Sequence, residues 1–73
     1  MTIGEHIKKY CDDNCITRWE FANKVNMTNI GLSRVITENG LPNIPYIKNI
    51  AKALGMTYME LIIDHYKTFE DEE

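Results

Sequence analysis

Apolar residues recur at steps of three and four along most of the chain. Ile3, Ile7 and Tyr10 form one run, and Phe21, Ala22 and Val25 a second. Leu32, Val35 and Ile36 form a third, Ile47, Ile50, Ala51 and Leu54 a fourth, and Leu61 and Ile62 a fifth. This is the period of a helix that buries one face. No stretch alternates apolar and polar residues as a strand does. The pattern predicts an all-α protein of five helices, roughly 3–13, 18–25, 29–37, 44–54 and 58–67, with these residues as its core.

The residues between the runs support the same boundaries. Thr2, Thr17 and Thr57 each stand three residues before a glutamate: Glu5, Glu20 and Glu60. Each pair spells a capping box, in which the threonine oxygen accepts an early backbone N–H and the glutamate reaches back to the cap residue. Ile16 with Phe21, and Met56 with Leu61, have the spacing of hydrophobic staples. Thr28 reads as a fourth cap, with Met27 and Leu32 as its staple, but Gly31 stands where the glutamate would be. Two readings stay open there. Either the third helix simply has a weaker cap, or its positive end is left available to an anion. Asn43 is the expected cap of the fourth helix, with Pro45 tolerated in the first turn, and Gly55 is its expected left-handed terminator.

Composition adds limits. Seventy-three residues make one domain with a small core. No segment approaches the ~18 apolar residues of a membrane span. The opening MTIGEHIKKY is charged and helix-like, unlike a signal peptide, so a cytoplasmic location is expected. The two cysteines stand in CDDNC. Two ligands at that spacing do not complete a tetrahedral zinc site, and His6 and His65 would join only by unusual geometry. Reduced, partly buried thiols are expected, with neither a metal nor a disulfide. The net charge is -3, but Glu70-Asp71-Glu72-Glu73 supplies four of the acids. In residues 1–69 eight basic residues stand against seven acidic ones, a balance of +1. The domain is therefore taken as 1–69 and the acidic tail as 70–73. The tail is expected to be solvated and frayed; repelling or imitating DNA is the alternative.

The segments ITRWEFANKVNMTNIGLSRV and IPYIKNIAKALGMTYMEL carry a family likeness. Over about residues 3–63 the chain resembles the lambda-repressor-like, or Cro-like (XRE-type), helix-turn-helix family, as a small bacteriophage-type regulator. The resemblance implies a compact five-helix domain whose second and third helices form the helix-turn-helix. Three positions depart from the family pattern. Asn26 stands where the turn usually has glycine, though asparagine tolerates the left-handed conformation. Arg18 stands where glutamine often holds a phosphate, and it offers a charged donor instead. The 38–43 loop contains no lysine or arginine.

With Leu32, Val35 and Ile36 turned inward, Ile30, Ser33, Arg34 and Thr37 point outward at about 100° per residue, and Asn29 lies at the exposed start. The family likeness implies that this face enters the major groove of a double-stranded DNA operator. Arg34 is chemically suited to guanine, Asn29 to adenine and Ile30 to a thymine methyl. Arg18 and Lys24 are candidates for phosphate contacts, alongside the cap residue Thr28. The expected function is sequence-specific transcriptional regulation, as a repressor or genetic-switch protein.

Trp19 favours an alternative. With Phe21 and Val25 inward, Trp19 should face out unless it folds back on the first helix or the C-terminal segment. An outward Trp19 with Ile30 suits a protein partner at least as well as DNA. The alternative is a modulator or antirepressor that uses the same surface to bind a partner repressor. In the last helix Ile63, Tyr66 and Phe69 exceed what one buried face needs; they are candidates for a homodimer or partner surface, a frayed tail folded over its own core being the other reading. No catalytic triad, phosphate loop or metal motif is found, so neither catalysis nor a cofactor is expected.

Overall fold

The computed structural model describes residues 1–38 and 40–70. Its elements are α1 (Ile3–Asn14), α2 (Arg18–Lys24), α3 (Asn29–Glu38), α4 (Ile44–Leu54) and α5 (Tyr58–Glu70). Among the described residues there is no strand. The first four helices begin and end within a residue of the predicted limits. The fifth runs three residues further, through Glu70, so the first residue assigned to the acidic tail is helical. Asp71, Glu72 and Glu73 lie outside the described residues.

The threonine caps set the helix starts. At α1 the box is complete: the Glu5 N–H donates to Thr2 Oγ1 at 3.2 Å, and the Thr2 N–H donates to Glu5 Oε1 at 3.0 Å. The Thr57–Glu60 box at α5 closes in the same way. At α2 only half of it forms. The Glu20 N–H donates to Thr17 Oγ1 at 3.1 Å, but the glutamate carboxylate takes the Thr17 hydroxyl, not its N–H. Asn43 is the N-cap of α4, as expected, with extended backbone at φ -61° and ψ 152°. Its side chain makes no cap hydrogen bond; its carbonyl instead accepts the Tyr46 and Ile47 N–H groups. Two helix ends use a left-handed residue. Gly55 closes α4 at φ 75°, as expected, and Cys15 closes α1 at φ 54°, which the sequence did not announce.

α1 packs against each of the other four helices, while α2 lies on α3 and α4 on α5. The core is made by Ile3, Ile7, Phe21, Val25, Leu32, Val35, Ile36, Ile47, Ile50 and Leu61, with Ala22, Ala51 and Cys11. Tyr10, Leu54 and Ile62 are only partly buried. Tyr10 lies edge-on to Phe21, with ring centroids 5.5 Å apart. Gly4 brings α1 and α3 together: a Cβ built there would lie 2.8 Å from Ile36 Cα and 2.8 Å from the Val35 carbonyl oxygen.

One buried polar residue was not foreseen. His65 is 2 % exposed, and its Nδ1 accepts the Ile3 N–H at 3.1 Å. It thereby satisfies a first-turn N–H of α1 from across the core. Its neighbour Asp64 holds His6 Nε2 at 2.5 Å and the amino group of Met1 at 3.6 Å. α5 is thus tied to the start of α1 by two successive residues. Among the described residues, no helix is long and apolar enough to cross a membrane.

Candidate binding surface on α3

The surface begins with the turn before α3. Val25 closes α2, its N–H shared among the last α2 carbonyls. Asn26 follows at φ 60°. That left-handed step costs a β-carbon residue energy, and asparagine is among the residues that adopt it most readily. The Met27 N–H then returns to the Ala22 carbonyl at 2.9 Å, which fixes the reversal. Asn49 of α4 braces it by donating to the Val25 carbonyl at 3.3 Å. Thr28 caps α3: the Gly31 N–H donates to its Oγ1 at 3.0 Å, and the Leu32 N–H to its carbonyl at 3.0 Å.

α3 is held by its inner face. Leu32, Val35 and Ile36 are buried. Asn29, Ile30, Ser33, Arg34 and Thr37 are all exposed, Ile30 at 71 %. Thr37 spends its hydroxyl proton on the Ser33 carbonyl at 2.8 Å, so it offers an outside molecule only lone pairs and a methyl group. Among the described residues neither Arg34 nor Arg18 is in an ion pair. Arg34 edges an open groove of about 340 Å³, lined also by Met27, Gly31, Glu38, Leu41 and Tyr46. The sequence reading passed over this groove. Its signal was the apolar Leu41 and Tyr46 flanking a Pro-containing loop.

On α2, Trp19 is 60 % exposed and does not fold back over α1 or α5. Arg18 is exposed beside it. Lys24 is placed differently from a free phosphate anchor. Its Nζ donates to Tyr10 Oη at 2.9 Å and lies 5.3 Å from that ring's centroid. The ammonium therefore sits beyond the hydroxyl and not over the ring face, and the lysine is exposed. On α5, Ile63, Tyr66 and Phe69 are exposed, together with Met59, which sequence reading left out although it stands four residues before Ile63.

The remaining chemistry is inward. Burial pushes the Cys11 thiol above its ordinary range, which keeps it protonated, while Cys15 is exposed; both are free thiols. Burial, and behind it the charge of the chain's amino group, holds His65 below its usual value, in keeping with a neutral ring that accepts a hydrogen bond. Asp64 is held below the usual carboxylate range by its hydrogen bond with His6. Among the described residues no three histidine, cysteine or acidic side chains come together as metal ligands.

No family model matches the chain, and neither a curated protein nor a solved structure matches it.

Proposed function

We propose that α2, the turn at Asn26 and α3 form a helix-turn-helix of the lambda-repressor-like kind, and that the chain is a sequence-specific DNA-binding regulator. The observation that carries this reading is the division of α3. A buried inner face holds the helix, and an outer face of polar Asn29, Ser33 and Arg34 with apolar Ile30 is exposed, with no side-chain hydrogen bond or ion pair among the described residues. A rigid helix with such a face suits the major groove. Arg34 would read a guanine, Asn29 an adenine and Ile30 a thymine methyl. Arg18 and the start of α3 at Thr28 would meet phosphates. Lys24 would contribute through the protons not engaged by Tyr10.

The low charge of residues 1–69 limits non-specific attraction. Binding is therefore expected to be weak, to depend on a few contacts and to show a shallow salt slope. The test is a fluorescence titration at low salt with genomic DNA flanking the gene. Arg34→Ala should cost about 1–3 kcal/mol and relax selectivity at one base position. Absence of low-salt binding, with no effect of Arg34→Ala, would end the proposal.

A second reading is favoured by Trp19. A tryptophan 60 % exposed on α2 is suited to a protein contact, and Ile30 on α3 is exposed too. On this reading the same surface docks on a partner repressor and alters its operator binding. Trp19→Ala would then abolish capture of that repressor while leaving the circular dichroism of the domain unchanged. A complex that forms equally well with the variant would exclude it.

A further inference from the structure

We propose that the groove beside α3 binds a free amino acid with an apolar side chain, and that this ligand withdraws Arg34 from DNA. Arg34 and Glu38 stand about one helical turn apart, and both line the groove. Both are exposed, and among the described residues neither is in an ion pair. Their order disfavours pairing with each other. On a helix an acid four residues before a base pairs well, and the reverse order pairs less well. Glu38 is also the last residue of α3, and no basic residue stands in that last turn. A carboxylate at the negative end of a helix is unfavourable until a cation comes to it.

The groove thus offers one positive and one negative group together with the apolar side chains of Met27, Leu41 and Tyr46. A ligand with a carboxylate alone would meet Arg34 but be repelled by Glu38, and an amine alone would suffer the reverse. A zwitterion satisfies both. Its carboxylate accepts two parallel hydrogen bonds from the guanidinium, and its ammonium donates to the Glu38 carboxylate. Its apolar side chain lies against Leu41 and Tyr46, with the flexible Met27 adjusting to its shape. A volume of about 340 Å³ is at the low end for small-molecule sites and suits a single amino acid. The groove is open, so the affinity is modest. A guanidinium engaged by a carboxylate is not available to a guanine, so the bound amino acid competes with DNA for Arg34. The site itself stands apart from the DNA-reading proposal; only the competition rests on it.

The test is an amide-resolved NMR titration of the full chain with L-phenylalanine at millimolar concentrations. The expected result is saturable shifts at Arg34, Glu38, Leu41 and Tyr46. Two matched probes, 3-phenylpropionate without the ammonium and phenethylamine without the carboxylate, should each bind about tenfold more weakly, as should phenylalanine to Arg34→Ala and to Glu38→Gln, since each change removes one charged hydrogen bond worth about 1.5–3 kcal/mol. Both variants change exposed side chains and should keep the parent's circular dichroism spectrum. No saturable shift, equal binding of 3-phenylpropionate, or full binding by Glu38→Gln would overturn the site. In a second titration, saturating phenylalanine should weaken DNA binding by the parent but not by Glu38→Gln. DNA binding indifferent to phenylalanine would overturn the competition, while phenylalanine binding by a chain that binds no DNA would uphold the site and end the DNA reading alone.

Discussion

Gly4→Ala is the sharpest test of how α3 is held. The added Cβ would meet Ile36 Cα and the Val35 carbonyl oxygen at 2.8 Å each, and the Ile36 carbonyl oxygen at 3.2 Å. Ordinary contacts between carbon atoms lie at about 3.5–4.0 Å. The offended atoms belong to the main chain of α3, so no side-chain rotation relieves them, and the two helices must part. Overpacking of this kind costs about 1–3 kcal/mol. Alanine is favoured over glycine by about 1 kcal/mol in a helix interior, but Gly4 is only the second residue of α1, so less than that is returned. The clash wins, with a net loss of about 1–2 kcal/mol. For a domain of this size that lowers Tm by about 4–16 °C. Gly31→Ala is the control. Its Cβ would meet Thr28 Oγ1 at 3.0 Å, where the cap needs to give by only a few tenths of an ångström, and Met27 Cε at an ordinary 3.8 Å, with no backbone atom in the way. Urea and thermal unfolding, followed by far-UV circular dichroism, would compare the two. If Gly4→Ala is as stable as the parent, or less disturbed than Gly31→Ala, the close approach of α1 and α3 is wrong.

Two further outcomes follow from the same structure. The protein should lose stability in acid in two stages. The share due to neutral, buried His65 is complete above its unfolded value near 6.5 and falls away as the pH drops below it, because the unfolded chain takes up the proton first. The share due to Asp64 is present above about 3.8 and lost as the pH falls further, toward its depressed folded value. His65→Leu should flatten the first stage, at the cost of about 1–3 kcal/mol for the orphaned Ile3 N–H; an unchanged profile in urea titrations across this range would contradict the role given to His65. At the turn, Asn26→Ala should cost about 1 kcal/mol and Asn26→Gly should be neutral or stabilising, since only the backbone at φ 60° distinguishes them; equal midpoints in urea would refute that reading.

The helices were legible because their limits are local. A threonine three residues before a glutamate, or a glycine after an apolar run, works within one turn of chain. What escaped depended on residues far apart. His65 stands four residues after Leu61, at a core position, but a scan for apolar residues skips a histidine whose partner is 62 positions away. Gly4 looked ordinary because its role needs a second helix at contact distance. Lys24 read as free because Tyr10 comes from another helix. Asn43 was read correctly as the N-cap of α4, but the absence of a hydrogen bond from its side chain depends on a rotamer that the sequence does not state. On the candidate surface, the outward positions of α3 followed from its inward ones by period alone. The groove beside Arg34 did not, since it depends on where the chain carries Leu41 and Tyr46 after α3 ends.

The most direct measurement is an amide-resolved NMR titration of the isotope-labelled protein with the flanking genomic DNA at low salt. The account predicts saturable shifts concentrated at Asn29, Ile30, Ser33 and Arg34, with Arg18 following and Ile47 and Ile50 in the core unmoved. Binding that shifts other helices and leaves these four amides in place would contradict it.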